Sequence, residues 1–254
     1  ALLFVDAAQL APHRQIRMKK DGIDALAFSA HKIYAPFGIG ALVLPTKILD
    51  QNPVDPGGGS IDMLSETKVI WSPVESRHQT GTWNVTGIVA LAESCHLLEQ
   101  VGWKDICKHE SDLVDYALRR LSDIKDLTLY VPLKAYQNES RIGTITFNLK
   151  GYHHALLSAI LDAEFGIETR AGTICNHRLV RRWFDISEIK QQTIEKEISA
   201  GKRLSSYGIV RMSIGIHNTK KDIDALVSAL SEISSKGPKL KYRKNQKEEI
   251  YEVN

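Results

Sequence analysis

Long hydrophobic runs are missing from this chain: no stretch approaches the roughly 20 apolar residues that a membrane-spanning helix needs. Nothing at the start pairs a basic leader with an apolar signal core. The expectation is a cytoplasmic protein with no membrane partner. Cysteine is scarce too, with Cys95, Cys107 and Cys175 making an odd total of 3 without CxxC spacing. That pattern suggests neither a disulfide framework nor a zinc site, so reduced thiols and no metal are expected. A strong charge imbalance is also lacking, since Lys and Arg total 33 against 30 for Asp and Glu, a net of +3. The densest basic run, Lys239 to Lys247, lies in a tail rich in both Lys and Glu. Such a composition reads as a solvated, disordered end over residues 236–254, not a nucleic-acid-binding arm.

What is present suffices for one large domain or two modest ones, with 254 residues of which 43% are hydrophobic. Leu2-Leu3-Phe4-Val5 is a continuous apolar run closed by Asp6, and it reads as the inside of a buried strand. A chain that opens within such a strand implies that an N-terminal part of the domain is absent. Asp24 to Ser29 forms a second short strand and Ala41 to Pro45 a third. Between them lies Ser29-Ala30-His31-Lys32-Ile33-Tyr34-Ala35-Pro36-Phe37-Gly38, a lysine held in a Pro/Gly-rich turn at a strand end. Loops at such positions carry function on a rigid scaffold. Asp6 ends its own strand where open α/β sheets place ligand-binding side chains, although an acid there can also cap the following turn. Pro53 to Gly59 reads as a flexible loop.

From Thr82 to Val101 apolar residues recur at helical spacing, with Gly102 as the expected stop, which makes Cys95 a core residue. A second amphipathic helix runs from Lys104 to Ile124, with Cys107 structural in its first turn. Leu127 to Val131 and Ile142 to Leu149 are strand-like, and His153 to Glu164 is helical. The implied layout is residues 1–102 as part of a large domain and 103–235 as a smaller α/β domain. Cys175 sits in Arg170-Ala171-Gly172-Thr173-Ile174-Cys175, where small and basic neighbours could lower a thiol pKa or where it could simply be a loop cysteine. His177 could assist that thiol or be merely exposed. Ser187 to Arg203 is polar and helix-prone, expected as an exposed insertion or lid. Arg211 interrupts the apolar strand Ile209 to Gly215, so a carboxylate partner from protein or substrate is expected. Thr219 is the expected N-cap of a last helix with Ile223, Leu226, Val227 and Leu230.

Val5-Asp6-Ala7-Ala8-Gln9, Ser29-Ala30-His31-Lys32, the Arg-x-Gly-x-x-Cys run and Val210-Arg211-Met212-Ser213 follow one another at a spacing that resembles aminotransferase class V, particularly its cysteine desulfurase and selenocysteine lyase branch. The similarity runs from residue 1 to about Ile233. It implies the fold-type I architecture of pyridoxal 5'-phosphate (PLP)-dependent transferases: a partial large domain with a mostly parallel sheet, plus a smaller C-terminal α/β domain, in a homodimer. By the same resemblance Lys32 forms the Schiff base with the cofactor and moves the substrate Cα proton, and Asp6 pairs with the pyridinium nitrogen. Gln9 donates to the ring's phenolic oxygen, and Ser29 and His31 contact the phosphate. Thr82 resembles the residue that reaches the neighbouring subunit's phosphate. Arg211 grips the substrate carboxylate, and Cys175 occupies the position that carries a persulfide, to be passed on to a sulfur-acceptor protein. Three functions stay open: a desulfurase or selenocysteine lyase, another class V aminotransferase, lyase or epimerase with Cys175 structural, or a non-catalytic chain completed by a partner polypeptide. Because the family's N-terminal phosphate-binding helix is not among these residues, the expectation is that this stretch alone binds the cofactor poorly.

Overall fold

Of the opening apolar run only Phe4 and Val5 enter β1 (Phe4–Asp6), and Leu2, Leu3 and Phe4 are exposed, contrary to the reading of a buried strand; Ala25–Ser29 becomes β2, paired parallel to β1 with Asp6 opposite Ala27. The structure is a computed structural model that describes residues 1–36, 38–130, 141–202, 206–245 and 250–254. It divides into two compact units, Ala1–Cys107 and Lys108–Asn254, so that the division falls beyond the Gly102 stop.

In the first unit a short helix, α1 (Met18–Asp21), precedes β2, and β3 (Gly40–Val43) returns antiparallel to β2. The resulting sheet has the order β1-β2-β3, parallel on one side of β2 and antiparallel on the other. A Cβ on Gly40 would lie 2.9 Å from the Phe28 carbonyl oxygen, so only glycine lets β3 start beside Ser29. After α2 (Thr46–Leu49) comes a hairpin of β4 (Ile61–Leu64) and β5 (Val69–Trp71), which sequence reading did not anticipate. The short helix α3 (Val74–Arg77) follows, then α4 (Val85–Val101). Cys95 on α4 is exposed, contrary to its reading as core. The helix buries Gly87, Ser94 and Leu98 instead, while Val85, Val89, Leu97 and Val101 remain exposed. Apolar residues lie on several sides of α4, so spacing alone could not select the buried face.

The second unit is an antiparallel sheet clothed by helices. The helix α5 (Trp103–Ser122) crosses the division and supplies Leu113, Val114, Ala117, Leu118 and Leu121 to the main core. Strands β6 (Leu127–Leu129) and β7 (Thr144–Leu149) come next, then α6 (His154–Phe165) and β8 (Arg170–Gly172). The helices α7 (His177–Trp183) and α8 (Glu188–Ser199) lead to β9 (Ile209–Ser213) and α9 (Lys220–Lys236). The sheet order is β6-β7-β9-β8. Ile145, Phe147, Leu149, Val210 and Met212 point to one face, where α5, α6 and α9 pack on them. A strand's alternate residues face the other way. There Ile209 meets Val180 of α7, Ile186, Ile194 of α8 and Tyr207. The polar segment from Ser187 is therefore not a detached insertion: Ser187 caps α8 and Ile194 anchors it to the sheet. Thr219 caps α9 as expected, in a reciprocal box in which its N–H donates to Asp222 at 2.6 Å.

Composition predicts a disordered tail, but the structure has a hairpin there, β10 (Tyr242–Asn245) with β11 (Ile250–Val253). Its order comes from α6. The Glu164 carboxylate accepts the N–H groups of Lys239 and Leu240 at 3.0 Å and the Tyr242 hydroxyl at 2.9 Å. Val131, Phe37 and Arg203, named in the expected strand, lysine loop and insertion, lie outside the described residues.

Candidate active site

The parallel pairing of β1 and β2 sets Asp6 and Ser29 at the carboxyl ends of neighbouring strands, the position at which α/β sheets present side chains to ligands. Asp6 is exposed, and one of its oxygens accepts the N–H of Ala8 at 2.9 Å, which fixes the turn leading to half-buried Gln9. A single 3-10 turn, Ala30–Lys32, follows Ser29 directly. Ala30 is fully buried and receives the N–H groups of Ile33 and Ala35, so the turn is pinned at its base while Lys32 is half-buried and His31 exposed. Tyr34 then takes a left-handed conformation, φ 70°, where the chain reverses toward β3.

Thr82 lies in an exposed loop held to this turn by one residue. Asn84 donates to the Gly38 carbonyl at 3.2 Å and accepts the N–H of Gly87 at 3.0 Å, capping α4. A Cβ on Gly87 would stand 2.5 Å from the Asn84 amide, which explains the glycine. The glycine triplet takes part too, since the Gly58 carbonyl accepts the N–H of Gly81 at 2.8 Å. Asp6, Gln9, Ser29, His31, Lys32 and Thr82 thus all belong to the first unit, at strand ends or on its turns and loops.

Cys175 and Arg211 belong to the second unit. Arg211 is on β9, half-buried, and its Nε has no hydrogen-bond partner among the described residues. No acid of the described residues forms an ion pair with it. The residue opposite it in register is Arg170 of β8, an exposed arginine to which sequence reading gave no role. Burial and the Arg170 guanidinium push the Arg211 pKa below its ordinary value, and the Cys175 thiol opposes them. Arg170 was present in the Arg-x-Gly-x-x-Cys run, but its pairing with Arg211 depends on strand register. Cys175 is exposed and follows Ile174, with φ 63° and 46° respectively. Two successive side-chain-bearing residues in the left-handed region, one of them β-branched, mark a strained turn of the kind found at functional sites. Asn176 caps α7 just after it, accepting the N–H of Leu179 at 3.4 Å, and Thr173 hydrogen-bonds His177 at 3.1 Å across the cysteine.

Residues 1–226 match the aminotransferase class-V family. A probable cysteine desulfurase of Halalkalibacterium halodurans is 35% identical over 231 residues, which is 91% of this chain and 50% of that protein. One from Staphylococcus aureus is 33% identical over 233 residues, again 91% of this chain and 50% of the relative. Among solved structures, the cysteine desulfurase CsdA of Escherichia coli superposes with a TM-score of 0.71 at 26% identity, covering 91% of this chain and 51% of that one. The apo cysteine desulfurase of Thermococcus onnurineus gives 0.73 at 27%, covering 92% and 52%. The chain spans about half the length of the relatives it matches. Fold and comparisons together define part of a fold-type I PLP-dependent transferase. The chain belongs to the aminotransferase class V family.

That family depends on PLP, and the donor set of the first unit fits it. A carboxylate, an amine, a hydroxyl and an imidazole stand at the ends of adjacent strands, the groups required to pair with a ring nitrogen, attach an aldehyde and bind a phosphate. Among the described residues no helix is long and apolar enough to cross a membrane.

Proposed function

We propose that this is a PLP-dependent enzyme acting on a small amino acid, a cysteine desulfurase or selenocysteine lyase in type. The observation that carries the reading is the Arg170–Arg211 pair with Cys175 within electrostatic reach of Arg211: two cations that no acid of the described residues pairs with call for an anion, and the thiol acts on the same arginine. When bound, PLP supplies an electron sink for charge developing at the substrate Cα. Lys32 attaches the cofactor and moves the Cα proton, tasks suited to an amine on a pinned turn. Asp6 pairs with the ring nitrogen, Gln9 donates to the phenolic oxygen, and Ser29 and His31 hold the phosphate, with Thr82 serving that of a partner subunit. Arg211 takes the substrate carboxylate in a two-pronged contact.

Cys175 then attacks the substrate sulfur. An S–S bond forms as the C–S bond breaks, the electron pair of that bond returns to carbon, and a proton delivered there gives alanine. The thiol is left as a persulfide for a sulfur-acceptor protein. The exposure of Cys175 and the strain of its turn support this role over a structural one. We place the protein in the cytoplasm and read it as a homodimer, the dimer being supported by the exposed Ile61, Met63 and Leu64 of β4 and Val69 and Ile70 of β5. The test uses the full-length protein with PLP and L-cysteine. Lys32→Ala and Cys175→Ala should each abolish sulfide and alanine release; release that survives loss of the thiol but not of the lysine would assign Cys175 a structural role.

A further inference from the structure

Thr146 of β7 stands directly opposite Arg211 of β9 in the strand register, so the row across this face reads Thr146, Arg211, Arg170. Thr146 is only 7% exposed and its Oγ1 has no hydrogen-bond partner among the described residues. Its carbonyl is used by the sheet, accepting the Tyr130 N–H at 3.0 Å, and no bond among the described residues calls on the hydroxyl. Buried hydroxyls are nearly always satisfied, and valine would fill the same space without the cost of an unmet donor. Opposed side chains on one face of an antiparallel pair have Cβ atoms roughly 4.5–5.5 Å apart. The unmatched hydroxyl and the unmatched Nε of Arg211 therefore flank one spot on the sheet.

We infer that Thr146 is a second carboxylate-binding residue: its hydroxyl donates to the substrate carboxylate that Arg211 holds. The inference rests on the proposed role of Arg211. A guanidinium edge offers two parallel N–H donors, and a carboxylate has lone pairs left over for a third. The hydroxyl supplies it from the side opposite Arg170, so the carboxylate is donated to from two strands. This arrangement selects a free carboxylate over an uncharged amide, because an amide's NH2 group would set a donor against a donor.

The test is made on the full-length holoenzyme with Thr146→Val, Thr146→Ser and Arg211→Met, using propionate and propionamide as probes in calorimetry and L-cysteine in steady-state kinetics. Thr146→Val should weaken propionate binding and raise KM for L-cysteine by about 5- to 20-fold, with kcat changed by less than about twofold and no fall in Tm. Thr146→Ser should keep propionate binding within about twofold, and propionamide should bind weakly to every form. Unchanged propionate binding in Thr146→Val, or equal weakening in Thr146→Ser and Thr146→Val, overturns the proposal. Arg211→Met separates the two levels. Loss of propionate binding there with no effect in Thr146→Val refutes Thr146 alone, whereas unchanged binding in Arg211→Met refutes the Arg211 reading and Thr146 with it.

Discussion

Arg170 and Arg211 face each other across the β8–β9 ladder with no acid of the described residues paired to either. Like charges directly opposed weaken a strand pair, by about 0.2–1 kcal/mol in general. Replacing Arg170 by Met should thus raise Tm by about 1–3 °C, more at low salt than at high, while raising KM for L-cysteine about tenfold. A thermal melt and a kinetic assay on the same preparation check both halves. A fall in Tm would mean that Arg170 is held by contacts other than its neighbour.

Asn84 ties the lysine turn to α4 through Gly38 and Gly87. Asn84→Ala should cost about 1–2 kcal/mol, from the lost cap and the lost loop contact. Circular dichroism melts should show it as a clear drop in Tm, and Asn84→Asp, which keeps the cap acceptor, should recover part of the loss.

The hairpin β10–β11 is anchored by Glu164, and that anchor depends on pH. Burial alone would raise the Glu164 pKa, but the N–H groups of Lys239 and Leu240, the Tyr242 hydroxyl and the Lys239 charge together bring it below the ordinary value. A depressed folded-state pKa gives stabilisation that is present above the unfolded carboxyl's value, about 4.3, and is lost as pH falls through the folded one. Tyr242 is shifted upward by burial and by Glu164, so its share is present below about pH 10 and is lost as pH rises further. Hydrogen-exchange protection of Tyr242–Asn245, corrected for intrinsic rates, should therefore hold near pH 6 and decline toward pH 3. In Glu164→Gln the acid decline should flatten.

Partial burial and the Glu99 carboxylate raise the pKa of the Cys95 thiol, although the residue as a whole is exposed. Partial desolvation next to a carboxylate accounts for both observations. Labelling of Cys95 by iodoacetamide should rise with pH only beyond the ordinary thiol range of about 8.5, and Glu99→Gln should move the rise to lower pH. A rate already at its plateau near pH 7 would contradict this.

Much of the fold was legible where the signal is local. Thr219 with Asp222 marks a helix start by chemistry confined to four consecutive positions, and the Pro/Gly-rich lysine turn after Ser29 marks a strand end in the same way. The hairpin from Ile61 to Trp71 was not legible, because its strands are of 4 and 3 residues and most of their side chains are exposed, leaving no alternation to read. The order of the tail was hidden because it rests on Glu164, which is 75 or more positions away from its partners. The site divides along the same line: Asp6, Lys32 and Arg211 stood out in their own segments, whereas Arg170 and Thr146 acquire meaning only when strand register sets them on either side of Arg211.

In the proposed reaction Cys175 receives sulfur from substrate held with the help of Lys32 and Arg211. Its most direct measurement is the mass of the peptide containing Cys175, taken from full-length protein with PLP after one turnover of L-cysteine without reductant or acceptor. One added sulfur atom on Cys175 together with one alanine per site is expected, and neither of them in Lys32→Ala. Alanine formed while Cys175 gains no sulfur would contradict it.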